Sequence, residues 1–174
     1  SIDHSIIIQK YNRIIFLDYD GVINTLVIYK EPVKSRRLLQ KDGYYFDLCY
    51  PQDERVSNVQ AVLWLDKLCK EFTADIVITS TWRKDYDLAC RCLYNSGLSK
   101  NIRIIGATPW LNRCRGLEID AWLKEHPCPA FVILDDDSDM EPYTDHLIKT
   151  DTYDGFTFNS YVKAKELLQK QLSL

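Results

Sequence analysis

The stretch that decides the fold is RIIFLDYDGVIN, residues 13–24, in which an apolar run leads directly into two acidic residues and a glycine. A short run of branched apolar residues is typical of a buried β-strand. Asp18 and Asp20 lie two positions apart, so their carboxylates can face the same side of an extended segment. Gly21 allows the backbone to turn sharply and to approach a ligand closely. An acidic turn after a strand would explain one aspartate, whereas the whole Asp-x-Asp-Gly pattern favours a functional site.

Four further segments share the apolar, β-branched character of a buried strand and are predicted strands: residues 75–79, 102–105, 131–134 and 146–150. Such near-continuous apolar runs are typical of a parallel sheet that is covered on both faces. Helical patterns occur at about 84–95, 116–125 and 159–172. Another helix is predicted from apolar residues at helical spacing, with Asp53 as its N-cap: Val56, Val59, Leu63, Leu68 and Phe72. The alternation predicts an open α/β fold, which binds ligands beyond the carboxyl ends of its strands.

The segment from about 25 to 52 shows few clear periods and is predicted to be an insertion after the first strand, too short for a large cap domain. The chain of 174 residues is 46% hydrophobic and 27% charged, which predicts one domain covering residues 1–174. Its net charge of −3 gives no overall attraction to nucleic acid, so such a partner would need a local basic patch. The insertion carries basic residues that fit either such a patch or a solvated charged loop: Lys30, Lys34, Arg36, Arg37 and Lys41.

A second acidic group follows the predicted strand in FVILDDD, residues 131–137. Asp135, Asp136 and Asp137 repel one another at this spacing, so a bound cation would stabilise them. An EF-hand is excluded, because Met140 stands where its loop needs glycine and His146 where it needs glutamate. For Asp137 alone, a solvated acidic loop is the preferred interpretation.

A third group, of hydroxyl side chains, ends the strand in DIVITSTWR, residues 75–83. Thr79, Ser80 and Thr81, with Arg83 soon after, can form a phosphate-sized pocket together with free backbone N–H groups at a helix start. Ser and Thr alone are ordinary helix caps. The order of an acidic pair, a hydroxyl, a basic residue and a second acidic pair, each at a strand end or helix start, is not explained by caps.

That order resembles the haloacid dehalogenase (HAD) superfamily, over nearly the whole chain. The resemblance implies a Rossmann-like parallel sheet flanked by helices, with a minimal cap or none. More narrowly, STWR at 80–83, GATPWLNRCRGLEIDAWL at 106–123, ILDDD at 133–137 and DGFT at 154–157 resemble the small HAD domain of RNA-repair (Swiss Army Knife) proteins and polynucleotide-end phosphatases. An enzyme of the phosphatase class is therefore expected.

The resemblance assigns a role to each motif. It implies Asp18 as the nucleophile and Asp20 as the general acid and base. The expected metal-site residues are Asp18, Asp20 through its backbone carbonyl, Asp135 and Asp136. Ser80 or Thr79 would contact the phosphoryl group, and Ser80 is favoured by its spacing to Trp82. The third motif is usually lysine in this superfamily, whereas Arg113 and Arg115 stand here. Arg115 is favoured, with a simple ion pair to Glu118 at i+3 as the alternative.

The chemistry fits these residue types. A carboxylate can attack phosphorus and form an acyl-phosphate, provided that a cation and a basic side chain offset the repulsion from an anionic phosphoryl group. Mg²⁺ is the expected cofactor because it prefers oxygen ligands. The expected partner is a phosphorylated substrate. Nucleic-acid ends, small nucleotide or sugar phosphates, and a catalytically silent phosphate-binding or nucleic-acid-binding module all remain open, as does phosphotransfer in place of hydrolysis.

No apolar run approaches the length that spans a bilayer, and the start SIDHSIII lacks the order of a secretory signal, so a cytoplasmic protein without a membrane partner is expected. The six cysteines contain no pair with the two-residue gap of zinc ribbons or redox motifs, and they are expected to be reduced. Trp110 and the other aromatic residues are candidates for stacking on nucleic-acid bases, although residues of this kind are more often core.

Overall fold

The central strand of the molecule is the apolar run quoted above. A computed structural model of the chain describes residues 13–29, 39–41, 44–48, 56 and 58–173, with backbone only at 26–29, 39–41 and 44–48. Within these residues the strands are β1 Arg13–Leu17, β2 Leu26–Tyr29, β3 Leu39–Lys41, β4 Tyr44–Leu48, β5 Asp75–Ile78, β6 Ile104–Ala107, β7 Ala130–Asp135 and β8 Leu147–Lys149. The helices are α1 Val59–Phe72, α2 Tyr86–Asn95, α3 Arg115–Glu125 and α4 Phe158–Leu172. Short 3-10 turns lie at Thr81–Asp85 and Thr144–His146.

Five strands form one parallel sheet in the order β6-β5-β1-β7-β8. β1 lies at the centre because it pairs with β5 on one side and β7 on the other, where Leu17 is level with Ile78 and Leu134. The predicted α/β fold, a Rossmann-like parallel sheet flanked by helices, is confirmed. The strands at 102–105 and 146–150 were predicted slightly out of place, and the latter is shortened by the 3-10 turn before it.

An apolar core lies on each face of the sheet, because successive side chains of a strand point to opposite faces. Ile15 and Leu17 of β1 belong to the core that contains α1, α2 and α4. Ile14 and Phe16 belong to the opposite core, which is covered by α3. All four side chains are fully buried. Burial on both faces explains why β1 is apolar at every position rather than at alternate ones.

The start of α1 differs from the prediction. Its N-cap is Asn58, whose side-chain oxygen accepts a hydrogen bond from the Ala61 N–H at 3.0 Å. The predicted cap, Asp53, lies outside the described residues. Val59 and Leu63, predicted to face the core, are 57% and 55% exposed. Val56, Leu68 and Phe72 are buried as predicted. The rest of the apolar buried stripe of the helix consists of Ala61, Val62, Leu65 and Cys69.

The predicted insertion at 25–52 contains strands that the sequence analysis did not assign. β2, β4 and β3 pair antiparallel in that order as a separate three-stranded sheet. A strand that pairs antiparallel has a weaker sequence signal than one buried on both faces, because its preference depends on its neighbours. In the basic cluster, Lys41 ends β3, and the other four residues lie outside the described residues.

The described cysteines are free, which agrees with the expectation of reduced thiols: Cys69, Cys90, Cys92, Cys114 and Cys128. Among the helices that the structure describes, none combines the length and the apolar character needed to cross a membrane.

Candidate active site

Three carboxylates meet where β1 and β7 end. Asp18 follows β1, and Asp135 is the last residue of β7, with Asp136 next to it. The Asp18 N–H donates to the Leu134 carbonyl at 3.0 Å, which holds the two strand ends together beyond the sheet. One carboxylate oxygen from each of Asp18, Asp135 and Asp136 lies within 4.8 Å of the others. The acids that were predicted to converge at two strand ends are therefore neighbours in space.

Arg115 supplies the positive charge at this cluster. Its Nη1 donates to Asp18 Oδ1 at 2.8 Å and to Asp135 Oδ2 at 3.3 Å. The first turn of α3 positions it, and its backbone N–H donates to Asp139 Oδ2 at 3.1 Å. Burial alone would lower the pKa of Arg115, but the charges of Asp18 and Asp135 outweigh burial and raise it. Of the two arginines left open by the sequence, Arg115 contacts Asp18, whereas Arg113 is exposed at the surface.

Asp18 and Asp135 are disfavoured in their charged form. Burial raises the pKa of Asp18, although Arg115 opposes that rise. Burial, and then the charge of Asp18, raise the pKa of Asp135 to about 9. When the three carboxylates are ionised, their negative charge exceeds the single positive charge of Arg115, and a divalent cation, which prefers oxygen ligands, would neutralise it.

Asp20 lies beside this cluster, and its carboxylate is held from two sides. Its Oδ1 accepts a hydrogen bond from Trp82 Nε1 at 3.3 Å and from Asn24 Nδ2 at 3.2 Å. Neither Trp82 nor Asn24 is assigned a role from the sequence, although both lie inside the quoted motifs. The Asp20 carboxylate is not among the three that converge, so its predicted part in the metal site, through its backbone carbonyl, stays a prediction.

Both the backbone conformation at position 21 and its close neighbours require a glycine. Its φ is +80°, a region that favours glycine. A Cβ added there would lie 2.1 Å from Asp136 Oδ2. The Thr150 hydroxyl donates to the Gly21 carbonyl at 2.7 Å. The glycine therefore lets the turn after β1 lie against a metal-site candidate that is distant in sequence.

The hydroxyls after β5 differ in their surroundings. Thr79 is fully buried, and its Oγ1 has no hydrogen-bond partner among the described residues. Ser80 Oγ accepts the Trp82 N–H at 3.2 Å as the cap of the 3-10 turn, so its own O–H can still donate to a ligand. Thr81 is exposed and lines a cavity of about 230 Å³ that Arg115 also lines.

Arg83 is built into the fold beside that cavity. Its Nη2 pairs with Glu118 Oε1 at 2.9 Å, and Nη1 donates to the carbonyl oxygens of Thr79 and Ser80. Burial lowers the pKa of Arg83, and the charge of Glu118 opposes this. The alternative of an Arg115–Glu118 pair is wrong, because Glu118 is paired with Arg83 and Arg115 with Asp18. Arg83 anchors the 3-10 turn to α3, and its predicted contact with substrate stays a prediction.

The fold and the acidic site at its strand ends define a HAD-superfamily domain. The profile of the family described as "HAD domain in Swiss Army Knife RNA repair proteins" matches residues 14–160, and the chain belongs to this family. Comparisons with curated proteins and with solved structures found no significant match. The superfamily assignment suggests a phosphohydrolase, since such domains are generally hydrolases and phosphatases.

Proposed function

We propose that this protein is a Mg²⁺-dependent phosphomonoesterase that acts through an aspartyl-phosphate on Asp18. The observation that carries the proposal is the position of Asp18, which shares a cluster within 4.8 Å with Asp135 and Asp136 and bonds to Arg115 at 2.8 Å. A nucleophile of this kind needs nearby positive charge to meet an anionic phosphoryl group. The family assignment supports the same class of reaction.

The two aspartates of the first motif divide the reaction into two steps. An oxygen of Asp18 bonds to phosphorus as the bond to the leaving oxygen breaks, and protonated Asp20 gives its proton to that oxygen. Asp20 then takes a proton from water as the water oxygen bonds to phosphorus and the bond to Asp18 breaks. Inorganic phosphate leaves, and both aspartates return to their starting state. Ser80 and Arg115 donate hydrogen bonds to the phosphoryl oxygens.

Asp18, Asp135 and Asp136 would hold the metal, and their all-oxygen donor set suits Mg²⁺. The uncompensated charge of the cluster, reflected in the raised pKa of Asp135, supports this assignment. When bound, Mg²⁺ offsets the repulsion between the carboxylates and the phosphoryl oxygens.

The proposed substrate is a phosphate at the end of a nucleic acid. The description of the family as a domain of RNA-repair proteins supports this class of substrate. Small nucleotide or sugar phosphates are the alternative against which it must be measured, because the reaction at Asp18 is the same for both.

The test measures phosphate release and the covalent intermediate separately. With Mg²⁺, the protein should hydrolyse p-nitrophenyl phosphate, and Asp18→Asn should lower turnover by orders of magnitude while the fold is retained. Asp20→Asn should accumulate phosphoenzyme with this substrate, because the leaving group needs no acid whereas the second step needs a base. Mass spectrometry of the acid-quenched protein should then locate the phosphoryl group on Asp18.

Asp137→Asn is the matched control, since Asp137 is an exposed neighbour of the cluster and should retain activity. Near-normal activity of Asp18→Asn would contradict the proposed nucleophile. If the unmodified protein hydrolysed nothing with metal present, a silent binding module would be the better interpretation. Comparing end-phosphorylated RNA and DNA with mononucleotides and sugar phosphates tests the substrate class.

A further inference from the structure

A second cavity lies next to the candidate active site. It has a volume of about 350 Å³ and is lined by Arg83, Lys84, Ala107, Thr108 and Trp110; we call it the Trp110 cavity. The cavity lined by Arg115, of about 230 Å³, also includes Arg83 and Trp110 in its wall, so the two adjoin. We call this smaller one the Arg115 cavity. Arg115, which lines the smaller cavity, also bonds to Asp18, so the two cavities lie close to the proposed nucleophile.

Trp110 lines both cavities and is partly exposed. It is 43% exposed, and its indole Nε1 donates to Asn112 Oδ1 at 2.7 Å, which fixes the orientation of the ring. The Lys84 Nζ and the Arg83 guanidinium carbon both lie over the ring, each 4.6 Å from its centroid. A base that stacks on this ring would take the place of the Lys84 side chain, whose ammonium group can then pair with a backbone phosphate.

Thr108 gives an independent indication that the Trp110 cavity receives a polar ligand. It is 3% exposed, and its Oγ1 has no hydrogen-bond partner in the described part of the chain. Its own backbone N–H donates to Ile78 at 3.0 Å, so the residue is held at the carboxyl end of β6. A buried hydroxyl without a partner is unfavourable, and a hydrogen bond to a ligand atom would satisfy it.

The charge of the two cavities favours an anionic ligand. The acids that line the Arg115 cavity are already engaged: Glu118 by Arg83 and by the Leu111 N–H at 2.8 Å, and Asp139 by the Arg115 N–H. Lys84 and Arg113 remain exposed on the two cavities. A ligand that combines a flat aromatic group with repeated negative charge, as a nucleic-acid strand does, complements both features.

We propose that the Trp110 cavity binds the nucleotide adjacent to the phosphate that is removed, with its base on Trp110, its backbone phosphate on Lys84 and a hydrogen bond to the Thr108 hydroxyl. This inference rests on the proposed function and specifies its substrate as a single-stranded nucleic-acid end. A single strand is required because a base must leave its stack to lie against a protein ring. The site would take any base, since every base offers a π-face.

The catalytic test compares two substrates in the same variants. For Trp110→Ala, the ratio of kcat/KM for an end-phosphorylated dinucleotide to kcat/KM for p-nitrophenyl phosphate should fall about ten-fold or more. Trp110→Phe, which keeps an aromatic face, should restore most of the ratio. An unchanged ratio in Trp110→Ala would overturn the proposal. So would an equal loss on a phosphopeptide, because the effect would then not depend on a base.

A binding test keeps the inference separate from the proposed reaction. Fluorescence anisotropy with an unphosphorylated single-stranded oligonucleotide needs no turnover, so it can succeed even if phosphate release fails. Lys84→Gln should weaken binding and reduce the slope of log affinity against log salt by about one. Lys100→Gln is the matched control. Lys100 is an exposed lysine that precedes the amino end of β6, and its variant should leave the slope of log affinity against log salt unchanged. Equal slopes in the Lys84 and Lys100 variants would overturn the assignment of Lys84.

Discussion

At the scale of single residues, the charge of the site depends on Arg115. It is the guanidinium that bonds to both Asp18 and Asp135, at 2.8 and 3.3 Å. Arg113, two positions earlier, is exposed and forms a matched comparison. The two arginines have the same side chain and almost the same place in the sequence, so a difference between their variants must come from position in space.

Arg115→Ala should lower kcat/KM for p-nitrophenyl phosphate by about 100-fold or more, because a donor aimed at the reacting phosphoryl group is lost. The same variant should gain more thermal stability from Mg²⁺ than the unmodified protein does, since the cation would then be the main charge opposing the carboxylates. Arg113→Ala should change p-nitrophenyl phosphate turnover little. Steady-state kinetics and thermal unfolding with and without Mg²⁺ measure both effects. A larger loss in Arg113→Ala would reverse the assignment of the third motif.

Asp135 makes the proposed metal site dependent on pH. Its pKa is raised to about 9, so below that pH the carboxyl holds a proton that the metal must displace. In the metal-free protein, a raised pKa in the folded state means that stability falls as the pH rises from the usual range of an aspartate toward 9. Mg²⁺ affinity should therefore increase from pH 6 to pH 8, by up to about ten-fold per pH unit for each proton released.

Isothermal titration calorimetry at pH 6, 7 and 8, in buffers of different ionisation enthalpy, measures both the affinity and the number of protons released. Asp137→Asn is the control for general charge effects and should show the same dependence of Mg²⁺ affinity on pH as the unmodified protein. Mg²⁺ affinity that does not change with pH would contradict the raised pKa of Asp135 as the cause.

At the scale of elements, the turn after β1 joins the two acidic motifs. Gly21 lies in this turn with a φ of +80°, against Asp136 from the end of β7. Gly97, after α2, has a φ of +112° but no atom within 4 Å of an added Cβ. Alanine variants of Gly21 and Gly97 should both suffer backbone strain, but only the Gly21 variant should also clash with a residue of the site.

Gly21→Ala should weaken Mg²⁺ binding by about 10-fold or more, because the new methyl group displaces the Asp136 carboxylate from its neighbours. Gly97→Ala should cost stability, on the order of 1–3 kcal/mol of backbone strain, and leave Mg²⁺ binding unchanged. Urea unfolding measures the strain, and titration calorimetry measures the metal affinity. Equal Mg²⁺ affinities in the two variants would show that contact between the turn and Asp136 is not needed.

At the scale of the whole molecule, the order β6-β5-β1-β7-β8 brings distant motifs together. β1 lies between β5 and β7, so the residues that follow these strands meet at one edge of the sheet. Open α/β sheets bind ligands at such an edge. The two cores that hold the sheet are completed by α1, α2 and α4 on one face and by α3 on the other.

The face of α1 that enters the core can be tested with two leucines. Leu65 is fully buried, whereas Leu63 is 55% exposed. Leu65→Ala should lower the free energy of unfolding by about 2–5 kcal/mol, because it removes apolar contacts and leaves a cavity. Leu63→Ala should change it by no more than about 0.5 kcal/mol. Urea unfolding of both variants gives the comparison, and a larger loss at Leu63 would mean that the helix is rotated from the orientation described.

The sequence by itself determined the parallel sheet and its acidic strand ends. β1 and β7 are recognisable because strands buried on both faces need apolar residues at every position, and this signal is local. The placement of Asp18 and Asp135 directly after such runs was readable for the same reason. The chemistry expected of them came from the order of the motifs and from the resemblance to a superfamily.

The tertiary structure alone decided which distant residues meet. The contact of Gly21 with Asp136, the choice of Arg115 over Arg113 as the partner of Asp18, and the pairing of Glu118 with Arg83 all depend on strand order and on the rotation of α3. Helical spacing likewise left the buried face of α1 undetermined, because apolar residues occur on both of its sides. Local patterns specify elements, whereas the neighbours of a side chain are set by how those elements pack.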